Sequence, residues 1–231
     1  RFTGALTDAT LGDTVLDAED RTNSGSAFVV NGNVAGGVMV NGPVSDNVDT
    51  ALDEALVSAA SVTTRSGSVA MHIVADVQDI VLGQVVIPAI ADDPDTADVD
   101  ESEPQQLLGY SFINRGTISG TGDLDGVSGQ ALRIDGGGGF TTTLSDGMLN
   151  VGVIASTTYG TATKPAIGTA FALGEGAIVP VLNNTGILRA TSIGIGGTAR
   201  ALIIEAGGSM PSLINHGELG AISGGGGSVI A

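Results

Sequence analysis

What this chain lacks narrows it first. Its 231 residues contain no cysteine and no tryptophan, and aromatics make up only 3%. A disulfide framework and a cysteine-based zinc site are therefore excluded. Bases are scarce: 8 Lys and Arg stand against 25 Asp and Glu, for a formal net charge of −17. A nucleic-acid surface must neutralise phosphates with basic side chains, so that class is excluded too. No run of 18 apolar residues occurs, and no transmembrane helix is expected. No basic region followed by an apolar stretch opens the chain at Arg1, so any signal peptide is expected upstream or already removed.

What is present points to β structure. Hydrophobic residues make up 42%, with 37 glycines, and the mean hydropathy is +0.33. High charge without hydrophobicity would mean disorder. Here the chain can bury an aliphatic core. Many β-branched residues, much glycine and few helix-forming runs predict strands separated by tight turns. The acids are unevenly placed: residues 1–104 carry a net −15 and residues 105–231 only −2. The N-terminal half thus presents an anionic surface, which favours solubility and self-repulsion.

Two motifs repeat. The first has the form Asn-x-Gly-x-Ile/Leu. It occurs at Asn114–Gly116, Asn150–Gly152, Asn184–Gly186 and Asn215–Gly217, so its glycines are 31 to 36 residues apart. The second, Ala-apolar-x-apolar, begins at Ala27, Ala70, Ala131, Ala170 and Ala201. Short strands would place alternate apolar residues inward. Corners would use Gly or Asn, for positive φ or close backbone approach. One coil cannot bury its own apolar face, but stacked coils can. Asparagines at one corner of successive coils would form a ladder of amide hydrogen bonds. The expected fold is all-β: a parallel β-helix, or solenoid, with repeats of about 31–43 residues. A sandwich would use hairpin turns such as Asn31-Gly32 and Asn41-Gly42, but gives no reason for a fixed motif at this spacing.

The segments after Ala27 and Ala70 align at an offset of 43, with Val34 over Val77 and Val38 over Val81. Each is followed by an insertion. In the first, 46–64, Val48, Leu52, Ala55, Leu56 and Ala59 have helical spacing, which predicts a short surface helix over Asp46–Ala60. The second, 91–106, is a polar, acidic loop.

These Gly-rich coils, the Asn-x-Gly-x-Ile corners, strands such as SGSAFVVNGNVAGGVMV and SGQALRIDGGGG, and the acidic inserts resemble the passenger regions of bacterial autotransporter adhesins, particularly the large repetitive ones of alphaproteobacteria. The resemblance implies a right-handed β-helix on the surface of a Gram-negative cell, held by a C-terminal membrane barrel. Residues 1–231 would then be a single solenoid segment of a longer chain. The absence of cysteine suits the family's passage through the periplasm.

Chemistry is sparse. No Gly-x-Ser-x-Gly elbow occurs. His72 alternates with apolar Met71 and Ile73 and is expected to face outward; His216 sits at a variable corner position. Both read as surface residues, and no catalytic residue is assigned. A polysaccharide-active β-helix would need acids clustered across adjacent coils, with Arg or Lys beside them. Arg133 and Arg200 do not occupy equivalent positions. Asp135 and Glu205 align two repeats apart, about 10 Å at a coil spacing near 4.8 Å, with Glu175 one residue out of register, and read as a solvated stripe. Asp93, Asp95, Asp98 and Asp100 in the second insertion, and Asp123 and Asp125 ahead of Gly126, are calcium candidates without a full ligand set. No other cofactor is indicated. The expectation is a non-enzymatic extracellular or outer-membrane-surface rod or adhesin. Its partners would be neighbouring coils or copies at open ends, a host surface or polysaccharide, but not nucleic acid. The alternatives are a subunit of a self-assembling filament or sheath, and a polysaccharide-active enzyme.

Overall fold

The computed structural model describes residues 2–3, 25–42, 59–87, 105–224 and 228–230. Among them the protein is all-β, with no helix long and apolar enough to cross a membrane. The strands form four parallel sheets and one antiparallel pair. The first sheet orders Phe2–Thr3, Ser61–Thr64, Thr117–Gly122, Val153–Tyr159, Ile187–Ile193 and Glu218–Ser223. The second orders Phe28–Val30, Val69–Ala75, Gly129–Gly136, Ile167–Leu173, Thr198–Ile204 and Ser228–Ile230. The third holds Ile80–Leu82, Thr142–Leu144 and Ala177–Ile178. The fourth holds Val38–Val40, Phe112–Asn114, Met148–Asn150, Val181–Asn184 and Ser212–Asn215. From Phe112 to Ile178 the chain twice visits the fourth, first, second and third sheets in turn, and a further circuit from Val181 repeats the order without a third-sheet strand.

Parallel strands cannot be joined by a tight hairpin, so strands paired within one sheet lie a whole circuit apart. Neither Asn31-Gly32 nor Asn41-Gly42 makes a hairpin; Asn41 Oδ1 instead accepts from the N–H of Gly42 at 3.0 Å. The antiparallel pair is Val86–Ile87 with Gln106–Leu107, at the neck of the acidic insertion, whose residues 88–104 lie outside the described residues. So do residues 43–58, and with them most of the expected helix. The first insertion ends earlier than the sequence suggests. Ala60 donates to Asn41 O at 3.0 Å, and Ser61–Thr64 already form a strand of the first sheet.

The second motif stacks residue on residue. Phe28, Met71, Leu132, Phe171 and Leu202 occupy one register position, and Val30, Ile73, Ile134, Leu173 and Ile204 another. The offset of 43 holds from Phe28 over Met71 to Val30 over Ile73 but fails beyond that strand. Val34 bridges Leu82 rather than Val77, and Val38 pairs with Phe112 rather than lying over Val81. Val77 sits in a turn, 72% exposed, and the extra residues there lengthen that circuit.

The alanines of this motif have a physical role. In Gly129–Gly136, Gln130, Arg133 and Asp135 face outward, while Ala131 and Leu132 are both fully buried. The in–out alternation thus slips by one at the alanine, and the register pairs Gln130 and Leu132 but skips Ala131. Ala70, Ala170 and Ala201 are also fully buried. Two consecutive inward residues crowd the interior, so the first must be small.

Phe171, Met71 and Leu132 are fully buried within one continuous cluster. Replacing Phe171 with Ala is expected to lower stability by about 3–5 kcal/mol. The same change at Ile195, 60% exposed, should stay within about 0.5 kcal/mol. Urea-denaturation midpoints of the two variants check this.

Candidate functional site

The corner between the fourth and first sheets carries the Asn–Gly motif. Asn114, Asn150, Asn184 and Asn215 stand in register. Asn114 Nδ2 donates to Asn150 Oδ1 at 2.8 Å, Asn150 Nδ2 to Asn184 Oδ1 at 2.7 Å, and Asn184 Nδ2 to Asn215 Oδ1 at 2.7 Å. The second hydrogen of each amide goes to a carbonyl three residues further on in the next circuit: Val153, Ile187 and Glu218. The ladder is therefore polar: the amides of Asn114, Asn150 and Asn184 donate toward the C-terminal end, and Asn215 Nδ2 donates to Gly217 O in its own circuit at 3.3 Å. At its start Val40 takes the place of an asparagine, and Asn114 Oδ1 is left buried without a partner.

The corner glycines serve closeness of approach. None of Gly116, Gly152, Gly186 and Gly217 has a positive φ. A Cβ on Gly152 would lie 2.1 Å from Gly116 O, on Gly186 2.2 Å from Gly152 O, and on Gly217 2.1 Å from Gly186 O. Gly152, Gly186 and Gly217 thus each make room for the carbonyl of the glycine before them, and Gly116 makes room for Ala60 O. Asn150 is fully buried while Asn215 is exposed. N150D would remove two donors and set a buried carboxylate against two carbonyl-type acceptors, costing about 3 kcal/mol or more. N215D keeps its one accepted bond and should cost about 1 kcal/mol or less. Comparing the two denaturation midpoints tests the polarity of the ladder.

A second polar array lies on the outer face of the second sheet. Val29, His72, Arg133, Ala172 and Ile203 share one outward register position. His72 Nε2 lies 2.6 Å from Asp135 Oδ1, and Arg133 Nε donates to Asp135 Oδ2. Arg133 also reaches Glu205, with Nη1 at 3.1 Å from Oε1 and Nη2 at 2.7 Å from Oε2. Between the two circuits stands Gly174. A Cβ there would come within 2.7 Å of Arg133 Nη2 and Asp135 Cβ, so the missing side chain is what lets the arginine cross.

Of the acids read as a solvated stripe, Asp135 is withdrawn from solvent and Glu205, 38% exposed, is held by Arg133, while Glu175 is exposed. Asp135 is 13% exposed and bound by two partners, and His72, 24% exposed, is tied rather than free at the surface. The sequence held the signal. His72 and Arg133 occupy the same place in the Ala-apolar-x-apolar motif, and Arg133 and Asp135 are two apart on one strand face. Burial pushes the Asp135 carboxyl up, but hydrogen bonds and charge from His72 and Arg133 outweigh it and hold its pKa below the usual carboxylate value. The Arg133 hydrogen bond lowers Glu205, and the bond to Glu205, opposed by burial, helps hold Arg133 above its ordinary range. Every oxygen of these two carboxylates accepts from a cationic or imidazole nitrogen. Such an array fixes charge; it is poorly suited to moving a proton.

Beside it lies a groove of about 190 Å³. Thr169 and Ala172, 7% and 1% exposed, are its small floor residues. Gln130 and Arg133 stand on one side and Arg200, Ile203 and Glu205 on the other, with Ser128 at the rim. Arg200 is in register with Thr169. Its Nε is buried and has no hydrogen-bond partner, and among the described residues it makes no ion pair.

The remaining sequence candidates are dispersed. Asp123 and Asp125 lie in the turn between Thr117–Gly122 and Gly129–Gly136. Asp93, Asp95, Asp98 and Asp100 lie outside the described residues. Among the described residues no group of three or more His, Asp or Glu gathers to hold a metal. His216 is an exposed corner residue whose N–H donates to Asn184 O at 2.8 Å. Comparison with protein-family models, curated proteins and solved structures finds no match to this chain.

A depressed carboxylate pKa contributes stability above its unfolded value and loses it as pH falls through the folded one. Acidification from about pH 5 to pH 2 should therefore destabilise the protein, and D135N should flatten, without abolishing, that dependence. Denaturation midpoints across the range provide the measurement.

Proposed function

We propose that the four sheets wind as one right-handed parallel β-helix. The chain would serve as a non-enzymatic structural or adhesive rod on the outside of a Gram-negative cell, like an autotransporter passenger. The observation that carries this reading is the asparagine ladder. Its steps of 36, 34 and 31 residues match the backbone register of the adjoining first sheet. A register kept across neighbouring faces is what whole circuits stacked on one axis produce, and such stacks are stiff along that axis. The charge of −17 would keep neighbouring rods apart.

A second reading, a subunit of an extracellular filament or sheath, is favoured by one edge of the fourth sheet. Leu213 is 44% exposed, whereas Leu182 and Met148 at the same register position are fully buried. An apolar edge strand accepts another strand, from its own chain or from a second molecule.

The test is protease treatment of intact source cells, followed by denaturing electrophoresis and mass spectrometry. The rod reading expects tryptic peptides of this chain to be released from intact cells and to belong to a polypeptide well above 22.7 kDa. Protection inside intact cells would overturn it. Release at 22.7 kDa, with polymers under native conditions, would replace it with the filament reading.

A further inference from the structure

We propose that the groove on the outer face of the second sheet binds a carboxylate-bearing sugar, with Arg200 as the residue that takes the carboxylate. Four features converge on that chemistry. Arg133 is already saturated by Asp135 and Glu205, so it shapes the groove without serving as the free cation. Arg200 lines the same groove, has no ion-pair partner among the described residues and keeps a buried Nε–H without an acceptor. A guanidinium offers two parallel donors matched to a carboxylate, and a buried donor left unpaired is unfavourable until an acceptor arrives.

The other walls suit a sugar ring. Ser128 Oγ accepts the N–H of Ile167 at 3.0 Å, which leaves its hydroxyl hydrogen free to donate. Gln130 and Thr169 offer further polar groups, and Ile167 and Ile203 offer apolar flanks. A volume of about 190 Å³ lies below the roughly 300–1,000 Å³ of drug-sized pockets, which fits one sugar unit with its neighbours running out along the face. With Arg133 neutralised by Asp135 and Glu205, Arg200 is the one unpaired charge among the described residues lining the groove, so attraction for an anion is concentrated at that guanidinium. The site goes beyond the rod reading: it would serve a rod or a filament subunit equally.

Calorimetric titration of the whole chain with trigalacturonate, and with its neutral methyl ester, tests the proposal. The acid is expected to bind, and the ester to bind about 10- to 100-fold more weakly, the size of one lost charge-assisted pair. R200Q should lose the same factor for the acid with its thermal midpoint unchanged. R115Q, an exposed corner arginine away from the groove, should bind like the wild type. Equal binding of acid and ester, no detectable binding of the acid, or full binding by folded R200Q would each overturn it. If R200Q does not fold, Thr169→Glu is the second variant. It would place a carboxylate on the groove floor in register with Arg200, pairing the guanidinium and repelling the ligand's own charge, and binding unimpaired in that variant would sink the proposal.

Discussion

A repeated close approach of backbone to backbone sets the terms for the rest. At the corner between the fourth and first sheets, the carbonyl of one glycine lies where the Cβ of the next would be, a little over 2 Å away. No side chain fits there. Because no side chain stands between the backbones there, each circuit can rest directly on the one before. The Asn150 and Asn184 amides, fully or almost fully buried, then find their partners one circuit on. A buried amide has four hydrogen-bonding positions to satisfy. The ladder fills both donor positions of each amide from Asn114 to Asn184, so the register is fixed chemically as well as sterically.

Once the corner fixes the register, the core follows. Circuits of different length still place Met71, Leu132 and Phe171 on top of one another, because the differences are absorbed in turns. Val77 is one such turn residue, and the segment between Asn41 and Ala60 is held at its ends by a backbone hydrogen bond. The faces stay constant while the turns vary. The alanine slip works in the same way: the four second-sheet strands from Val69–Ala75 to Thr198–Ile204 change phase at the same point, so the change propagates along the sheet without breaking it.

The asparagine register was legible in the sequence because Asn and Gly are needed by type at one place in every circuit. Composition gave the all-β character for a similar reason, since few helix formers and many β-branched residues leave little else. The motif glycines were read correctly in position but not fully in cause. Positive φ was one of two reasons offered, and only close approach applies. The offset of 43 misplaced Val34 and Val38 because a single spacing cannot describe circuits whose turns differ. The outer-face array was missed for another reason. Asp135 and Glu205 were seen to align, but their bridge depends on a glycine at position 174 being empty enough for Arg133 to cross. A pattern search weighs the residues that are there, whereas this contact is set by a missing side chain.

That array also explains why Arg200 stands apart. Arg133 spans two circuits and takes both nearby carboxylates, while His72 adds a second partner to Asp135. The acids that would otherwise neutralise Arg200 are thus already engaged, even though Glu205 feels its charge. Had residue 174 carried a side chain, Arg133 could not reach Glu205, and Glu205 would be free to turn to Arg200. One absent Cβ therefore decides which of two arginines is paired, and it leaves the unpaired one beside the groove. Residues 72, 133, 135, 200 and 205 are far apart in the chain, and each circuit brings only one or two of them. Their meeting on a single face follows from the register that the corner glycines permit.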